Sequence, residues 1–178
     1  MTLEVMDFIA AFKKLHSHYF STGVKAIEVG SLNINGQCRE HFEDPDDVLG
    51  IDRIAGPGVD KVMEIRDAES NHYDTVLSSE SLEHDPDWKE TIRHLLRVAR
   101  SGGWIIVTCA GTGHKTHCSK ENPRKFSAGG KDYVVAIDHY RNVTAAELMA
   151  AFGGAQAFRP NYYLEEHSLH TWFLGRKL

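Results

Sequence analysis

Two short apolar runs and the residues that close them constrain the fold of this chain more than anything else in it. Ala26-Ile27-Glu28-Val29 leads into Gly30-Ser31-Leu32-Asn33-Ile34-Asn35-Gly36, and Val48-Leu49-Gly50-Ile51 leads into Asp52. Runs this short and rich in β-branched residues suit strands buried on both faces, which occur in parallel sheets covered by helices. An acid closing the second strand of such a unit, roughly 20 residues past the first glycine, can accept both hydroxyl protons of an adenosine ribose. Asp52 stands at that distance from Gly30. The turn after Glu28 is nevertheless not a dinucleotide turn. A pyrophosphate needs closely spaced glycines so that backbone N–H groups can approach it, whereas here the next glycine comes only at Gly36. An adenosine ligand without a pyrophosphate is expected.

The rest of the chain continues the alternation of strands and helices. Residues 1–23 hold an amphipathic helix with Phe8, Phe12, Leu15 and Tyr19 as its apolar positions, expected to cover the sheet. Strands are expected at 24–29, 48–52, 61–63, 74–78 and 104–109, with a short helix at most over 36–42. The clearest helix follows the fourth strand. Asp85 is placed as its N-cap and Pro86 in its first turn, Trp88, Ile92, Leu95 and Ala99 form its apolar stripe, and Gly102-Gly103 ends it. Residues 111–142 lose all periodicity and read as a long loop or insertion, which in a compact domain is usually functional. Thr144-Ala145-Ala146-Glu147 is a capping box opening a last helix, and two strands near 157–164 and 170–174 are close enough in sequence to pair antiparallel. The expectation is one α/β domain over residues 1–178, a Rossmann-like three-layer sandwich with a mostly parallel sheet.

Charge and cysteines narrow the partners. A net charge of −5 and a pI near 6.1 disfavour nucleic acid, because the basic pieces at 120–125 and 176–177 make no stripe for phosphates. No apolar run approaches membrane-spanning length, and the first residues carry an acid where a secretion signal carries bases. Cys38, Cys109 and Cys118 form no CxxC pair. A cytoplasmic protein with reduced thiols and a small-molecule partner is expected.

Four segments, in order, resemble the class I S-adenosylmethionine-dependent methyltransferases, and within them the small type 11-like members. Glu28-Val29-Gly30-Ser31 is similar to that family's nucleotide loop, and Gly50-Ile51-Asp52 to its ribose-binding strand end. Tyr73-Asp74-Thr75-Val76-Leu77-Ser78-Ser79-Glu80-Ser81-Leu82-Glu83-His84 resembles its strand-four segment with a Leu-Glu-His ending, and Leu96-Arg97-Val98-Ala99-Arg100-Ser101-Gly102-Gly103 its helix-to-strand junction. The junction departs from the family in carrying Ser101 where proline is commoner. The resemblance implies a seven-stranded sheet with an antiparallel last strand and S-adenosylmethionine as cofactor. Glu28 would then orient the loop or meet the ligand's amino group, and Gly30 and Ser31 would let the backbone approach the methionine part. Asp52 would bind the ribose with Arg53 beside the adenine, Ser78, Ser79 and Glu80 would line the methionine and acceptor side, and Glu64 or Asp67 would serve the adenine edge.

The eleven histidines leave a choice of roles. His139, in His139-Tyr140-Arg141-Asn142, is the candidate for positioning an acceptor or taking its proton, since imidazole titrates near neutral pH. His84 is read as structural. His114, His117 and Cys118 invite a metal, but a site needs three or four ligands on a rigid frame and no second ligand cluster accompanies them, so no metal is expected. Methyl transfer to a sugar or other polar metabolite is the function expected. The alternatives are a catalytically silent S-adenosylmethionine-binding regulator and a nucleic-acid methyltransferase; a nicotinamide oxidoreductase is disfavoured by the loop.

Overall fold

The computed structural model describes residues 2–158, 160–167 and 169–178. Seven strands form one sheet: β1 (Ala26–Val29), β2 (Val48–Asp52), β3 (Lys61–Val62), β4 (Tyr73–Ser79), β5 (Ala99–Ala110), and, after a separate hairpin of β6 (Arg124–Ala128) and β7 (Lys131–Val135), β8 (Tyr162–Glu166) and β9 (His170–Arg176). Their order across the sheet is β3-β2-β1-β4-β5-β9-β8. The first five are parallel neighbours, and β9 alone runs against them, pairing antiparallel with both β5 and β8. This is the mostly parallel Rossmann-like sheet the sequence led us to expect, and a terminal antiparallel hairpin completes it.

Alternation along the central strands produces the three layers. Successive strand residues point to opposite faces. In β5, Ile105 and Val107 therefore pack with Trp88, Ile92 and Leu95 of α2 (Trp88–Val98) and Leu148 of α3 (Ala145–Ala151), while Trp104 and Ile106 pack with Val5, Ile9 and Phe12 of α1 (Leu3–Leu15). The β4 pair Val76 and Leu77 divides the same way. Both faces are thus covered, as a parallel sheet requires.

Several boundaries differ from expectation for identifiable reasons. Leu15 is 79% exposed, and the buried stripe of α1 is Val5, Ile9 and Phe12, because the chain leaves the helix at His16 and turns toward the sheet. Asp85 does not cap α2. Its carboxylate accepts hydrogen bonds from Arg53 (2.9 Å), Thr91 and the Asp87 N–H, and the helix begins at Trp88 instead. Nor does α2 reach Gly102: Ala99 is already paired with Tyr73, so β5 starts there. Residues 111–142 are not a bare loop. Gly129 (φ +56°) and Gly130 (φ +74°) form a turn with two successive left-handed residues, which matches the twist of a tight hairpin, and β6 and β7 pair on either side of it. The strand expected at 157–164 begins only at Tyr162, and Arg159 lies outside the described residues. The capping box is as read: Thr144 Oγ1 accepts from the Glu147 N–H (3.2 Å), and Glu147 Oε2 from the Thr144 N–H (3.0 Å).

Candidate active site

The order of strands reverses between β1 and β4, and ligands of open α/β sheets bind at such a point, outside the carboxyl ends of the strands. A cavity of about 730 Å³ occupies that place. It runs from the ends of β1 and β2, past the start of α2, to the segment after β5.

The β1–β2 end is built by backbone. Gly30 has φ +79°, and a Cβ there would lie 2.4 Å from Ser81 Cβ, so no larger residue fits without moving the β4 turn. The N–H groups of Gly30 and Ser31 both donate to Ile51 O (2.9 and 3.1 Å), that of Leu32 to Asp52 Oδ2 (3.2 Å), and that of Asn33 to Pro57 O (2.8 Å). Four successive amides are therefore bound within the protein, which leaves none of them to cradle a pyrophosphate. Glu28 is buried, its Oε1 accepts from the Cys38 N–H (2.9 Å), and its Oε2 has no partner among the described residues. Burial pushes this carboxyl above its ordinary range, so a cation arriving beside it would be strongly favoured. Ser31 Oγ is likewise buried and unpartnered. Asp52 closes β2 with Oδ1 accepting from the Ile54 N–H (2.9 Å) and Oδ2 from Leu32, which leaves a second lone pair on each oxygen. Burial raises Asp52 too, opposed by those N–H donors.

Glu28, Gly30, Ser31, Asp52, Arg53, Ser79 and Glu80 all line the cavity. Ser78 does not; its Oγ is buried against Ser81 Oγ (2.9 Å) and supports the turn. Of the two acids considered for the adenine edge, Glu64 lines the cavity and Asp67 does not. Arg53 pairs with Asp85 (2.9 Å) and lies 3.5 Å from Glu64, tying β2 to the entrance of α2. Sequence reasoning missed Met63, Ile65 and Leu82, which supply apolar wall, and Thr91 and His94, which α2 presents one turn apart. The i, i+3 spacing of a hydroxyl and an imidazole beside the apolar stripe was the available signal.

The far end is built by imidazoles. His139 does not line the cavity; its Nε2 is buried without a described partner. His84, His114 and His117 line it instead, together with Cys118 and Glu80. His114 Nδ1, His117 Nδ1 and the Tyr140 hydroxyl converge on Lys115 O at 3.0, 3.2 and 3.1 Å. A carbonyl only accepts, so both rings carry the proton on Nδ1 and keep a lone pair on Nε2. Burial and the neighbouring His117 lower His84 to about 4, and burial lowers His117, so these two rings are neutral at neutral pH. Glu80, at φ +52°, sits where β4 turns away, with Oε1 3.5 Å from Nδ1 of the buried His170. Burial alone would raise Glu80, but the His170 charge brings it below the usual range, and the Glu80 carboxylate in turn raises His170.

Comparison with known proteins agrees with this geometry. Residues 59–107 match the model of a methyltransferase domain. A stretch of 67 residues is 31% identical to the ubiquinone biosynthesis O-methyltransferase of Nitrosospira multiformis; it is 38% of this chain and only 25% of that protein. Among solved structures, an S-adenosylmethionine-dependent methyltransferase from Clostridium acetobutylicum aligns with a TM-score of 0.64 at 9% identity, covering 99% of this chain and 92% of that one. A Burkholderia thailandensis 1,6-didemethyltoxoflavin-N1-methyltransferase, solved with its substrate and S-adenosylhomocysteine, aligns at 0.60 and 17% identity over 97% and 78% of the two chains. The fold is the one these S-adenosylmethionine-dependent methyltransferases share, and the central segment 59–107 is similar to a methyltransferase domain. No helix among the described residues is long and apolar enough to cross a membrane.

Proposed function

We propose that this protein transfers a methyl group from S-adenosylmethionine to a small polar acceptor, a sugar or another hydroxyl- or amine-bearing metabolite. The observation that carries the reading is the edge formed by Glu28, Gly30 and Asp52 at the switch point of the sheet, with Glu28 Oε2 and Ser31 Oγ buried and unpartnered there. Buried polar atoms without partners are rare in proteins, and a ligand that supplies them is the simplest account. An ammonium group satisfies Glu28, and the remaining lone pairs of Asp52 suit two ribose hydroxyls. Met63, Ile65 and Leu82 provide apolar surface for a purine, with Glu64 at its edge. The donor, when bound, supplies a methyl group already activated by its sulfonium.

What remains for the protein is orientation, exclusion of water and, for an oxygen acceptor, removal of a proton. The Nε2 lone pair of His114 and the Glu80 carboxylate lie at the acceptor end for those tasks. The net charge of −5 supports a small acceptor rather than nucleic acid, and the three free, buried thiols suit a reducing compartment such as the cytoplasm. The test is mass spectrometry of compounds retained by the purified protein, followed by calorimetric titration with S-adenosylmethionine and S-adenosylhomocysteine. Saturable binding of both, and methyl transfer to a member of a polar acceptor panel, are expected. Absence of binding by either compound would overturn the donor assignment, and binding without transfer to any acceptor would overturn the enzymatic one.

A further inference from the structure

His117 and Cys118 form a pair that the sequence alone could not complete, because every other histidine or cysteine within ligand spacing had the same loop for its frame. The fold supplies the third member from elsewhere. His84 stands at the end of the 3-10 turn Leu82–His84 that follows β4, and its ring meets that of His117 edge-on with centroids 4.9 Å apart. One ligand atom each from His84, His117 and Cys118 lies within 4.8 Å of the other two. We propose that these three residues bind a divalent transition-metal ion, zinc before others, in the wall of the cavity.

Four observations support the site. First, the ligand atoms are available. His84 Nδ1 is buried with no partner among the described residues, and the bond from His117 Nδ1 to Lys115 O leaves Nε2 of that ring with its lone pair. A backbone carbonyl holding the far nitrogen is how metal-bound histidines are commonly oriented. Second, the frame is stiff. The His84 N–H donates to Ser81 O (3.1 Å), and Cys118 O accepts from the Ile137 N–H (2.7 Å), so both ends are tied to neighbouring structure. Third, Cys118 has φ +52°, a left-handed backbone that is unfavourable for a non-glycine residue. Such outliers persist where a local geometry is needed, and here it turns the thiol toward two imidazoles. Fourth, Glu80 carries a negative charge whose field reaches both His84 and His117, which favours a cation between them.

Two imidazoles and a thiolate are borderline-soft ligands and select zinc over magnesium or calcium. Ligand atoms around tetrahedral zinc stand about 3.3–3.8 Å apart, so side-chain rotations closing about 1 Å suffice. On binding, the Cys118 thiol gives up its proton to solvent and its sulfur takes the metal in its place. With three protein ligands the ion keeps a position for a fourth, as catalytic rather than structural zinc sites do. All three residues line the cavity, so that position is reached from the acceptor end.

The test needs no methyl donor and is independent of the proposed transfer reaction. The full chain, stripped with a chelator and titrated with cobalt(II), should take up one equivalent and develop a near-ultraviolet thiolate-to-cobalt charge-transfer band. Cys118→Ser should abolish that band, whereas Cys109→Ser should keep it. His117→Ala, at a half-exposed position where folding is not at stake, should weaken zinc uptake about tenfold or more. Failure of the parent protein to retain a stoichiometric metal overturns the site. So does a charge-transfer band that survives in Cys118→Ser, or zinc affinity unchanged in His117→Ala.

Discussion

The two ends of the cavity are made in different ways. At the β1–β2 end the chain is shaped by neighbours in a single strand-turn-strand unit: Gly30, Ser31, Leu32 and Asn33 are all fixed by hydrogen bonds to Ile51, Asp52 and Pro57. At the other end, His84 comes from the turn after β4, His114, His117 and Cys118 from the segment after β5, Tyr140 from the return to α3, and His170 from the first residue of β9. One end is therefore set by local backbone geometry, and the other by side chains assembled from distant parts of the chain. The first end should respond to substitution through shape, and the second through charge and hydrogen bonds.

Gly30→Ala should have the largest effect. The left-handed backbone and the 2.4 Å approach to Ser81 together should cost about 2–5 kcal/mol, seen as a lower midpoint in chemical denaturation and as loss of donor binding. Asp52→Ala should weaken S-adenosylmethionine binding about 10- to 100-fold by calorimetry, the worth of a charge-assisted hydrogen bond of about 1.5–3 kcal/mol; unchanged affinity would sink its assignment to the ribose. Thr144→Ala removes one half of the capping box that anchors the acceptor-side return. About 1 kcal/mol is expected, a fall of roughly 2–4 °C in Tm for a domain of this size. Tyr140→Phe deletes the hydroxyl bonded to Lys115 O and should cost about 0.5–1.5 kcal/mol while leaving donor affinity alone. A matching loss of donor affinity would erase the distinction between the two ends.

The smallest effect concerns pH. His170 faces Glu80 from the end of β4, Glu4 from α1 at 3.6 Å, and the His114 ring with centroids 5.6 Å apart. The net shift of His170 is upward, so its contribution to stability is complete below its unfolded pKa and disappears as pH rises through the folded value. Glu80 is shifted downward, so its contribution is complete above its unfolded pKa and disappears as pH falls through the folded value. Stability from the pair is therefore greatest between the ordinary carboxylate and imidazole ranges. Titration of the His170 ring by NMR should place its pKa above 6.5, and Glu80→Gln should bring it down. A His170 pKa that ignores Glu80→Gln would show that the two do not interact.

The same contrast explains what could be read from the sequence. β1, β2, β4 and β5 announce themselves as apolar runs, and the Thr144 capping box is a local signal satisfied locally. The hairpin of β6 and β7 was hidden because its strands are mostly exposed and lack a buried alternate face, although Gly129-Gly130 marked its turn. Asp85 looked like a helix cap because the residues it bonds, Arg53 and Thr91, are invisible at its own position. That His139 stands outside the cavity lining has a similar reason. Which imidazoles face the cavity depends on contacts across more than 30 residues, such as His84 with His117, and no spacing rule encodes those.

The hairpin has a kinetic consequence. β6 and β7 pair only with each other, and their hydrogen bonds are not part of the seven-stranded sheet. Yet Arg124 and Val135 line the cavity, and Tyr133 reaches toward Gly56 beyond the end of β2. A two-strand ribbon held this way can lift as one piece while every rung of the main sheet stays intact. Residence time of a bound molecule would then be set by how often that ribbon detaches, a local opening far cheaper than global unfolding.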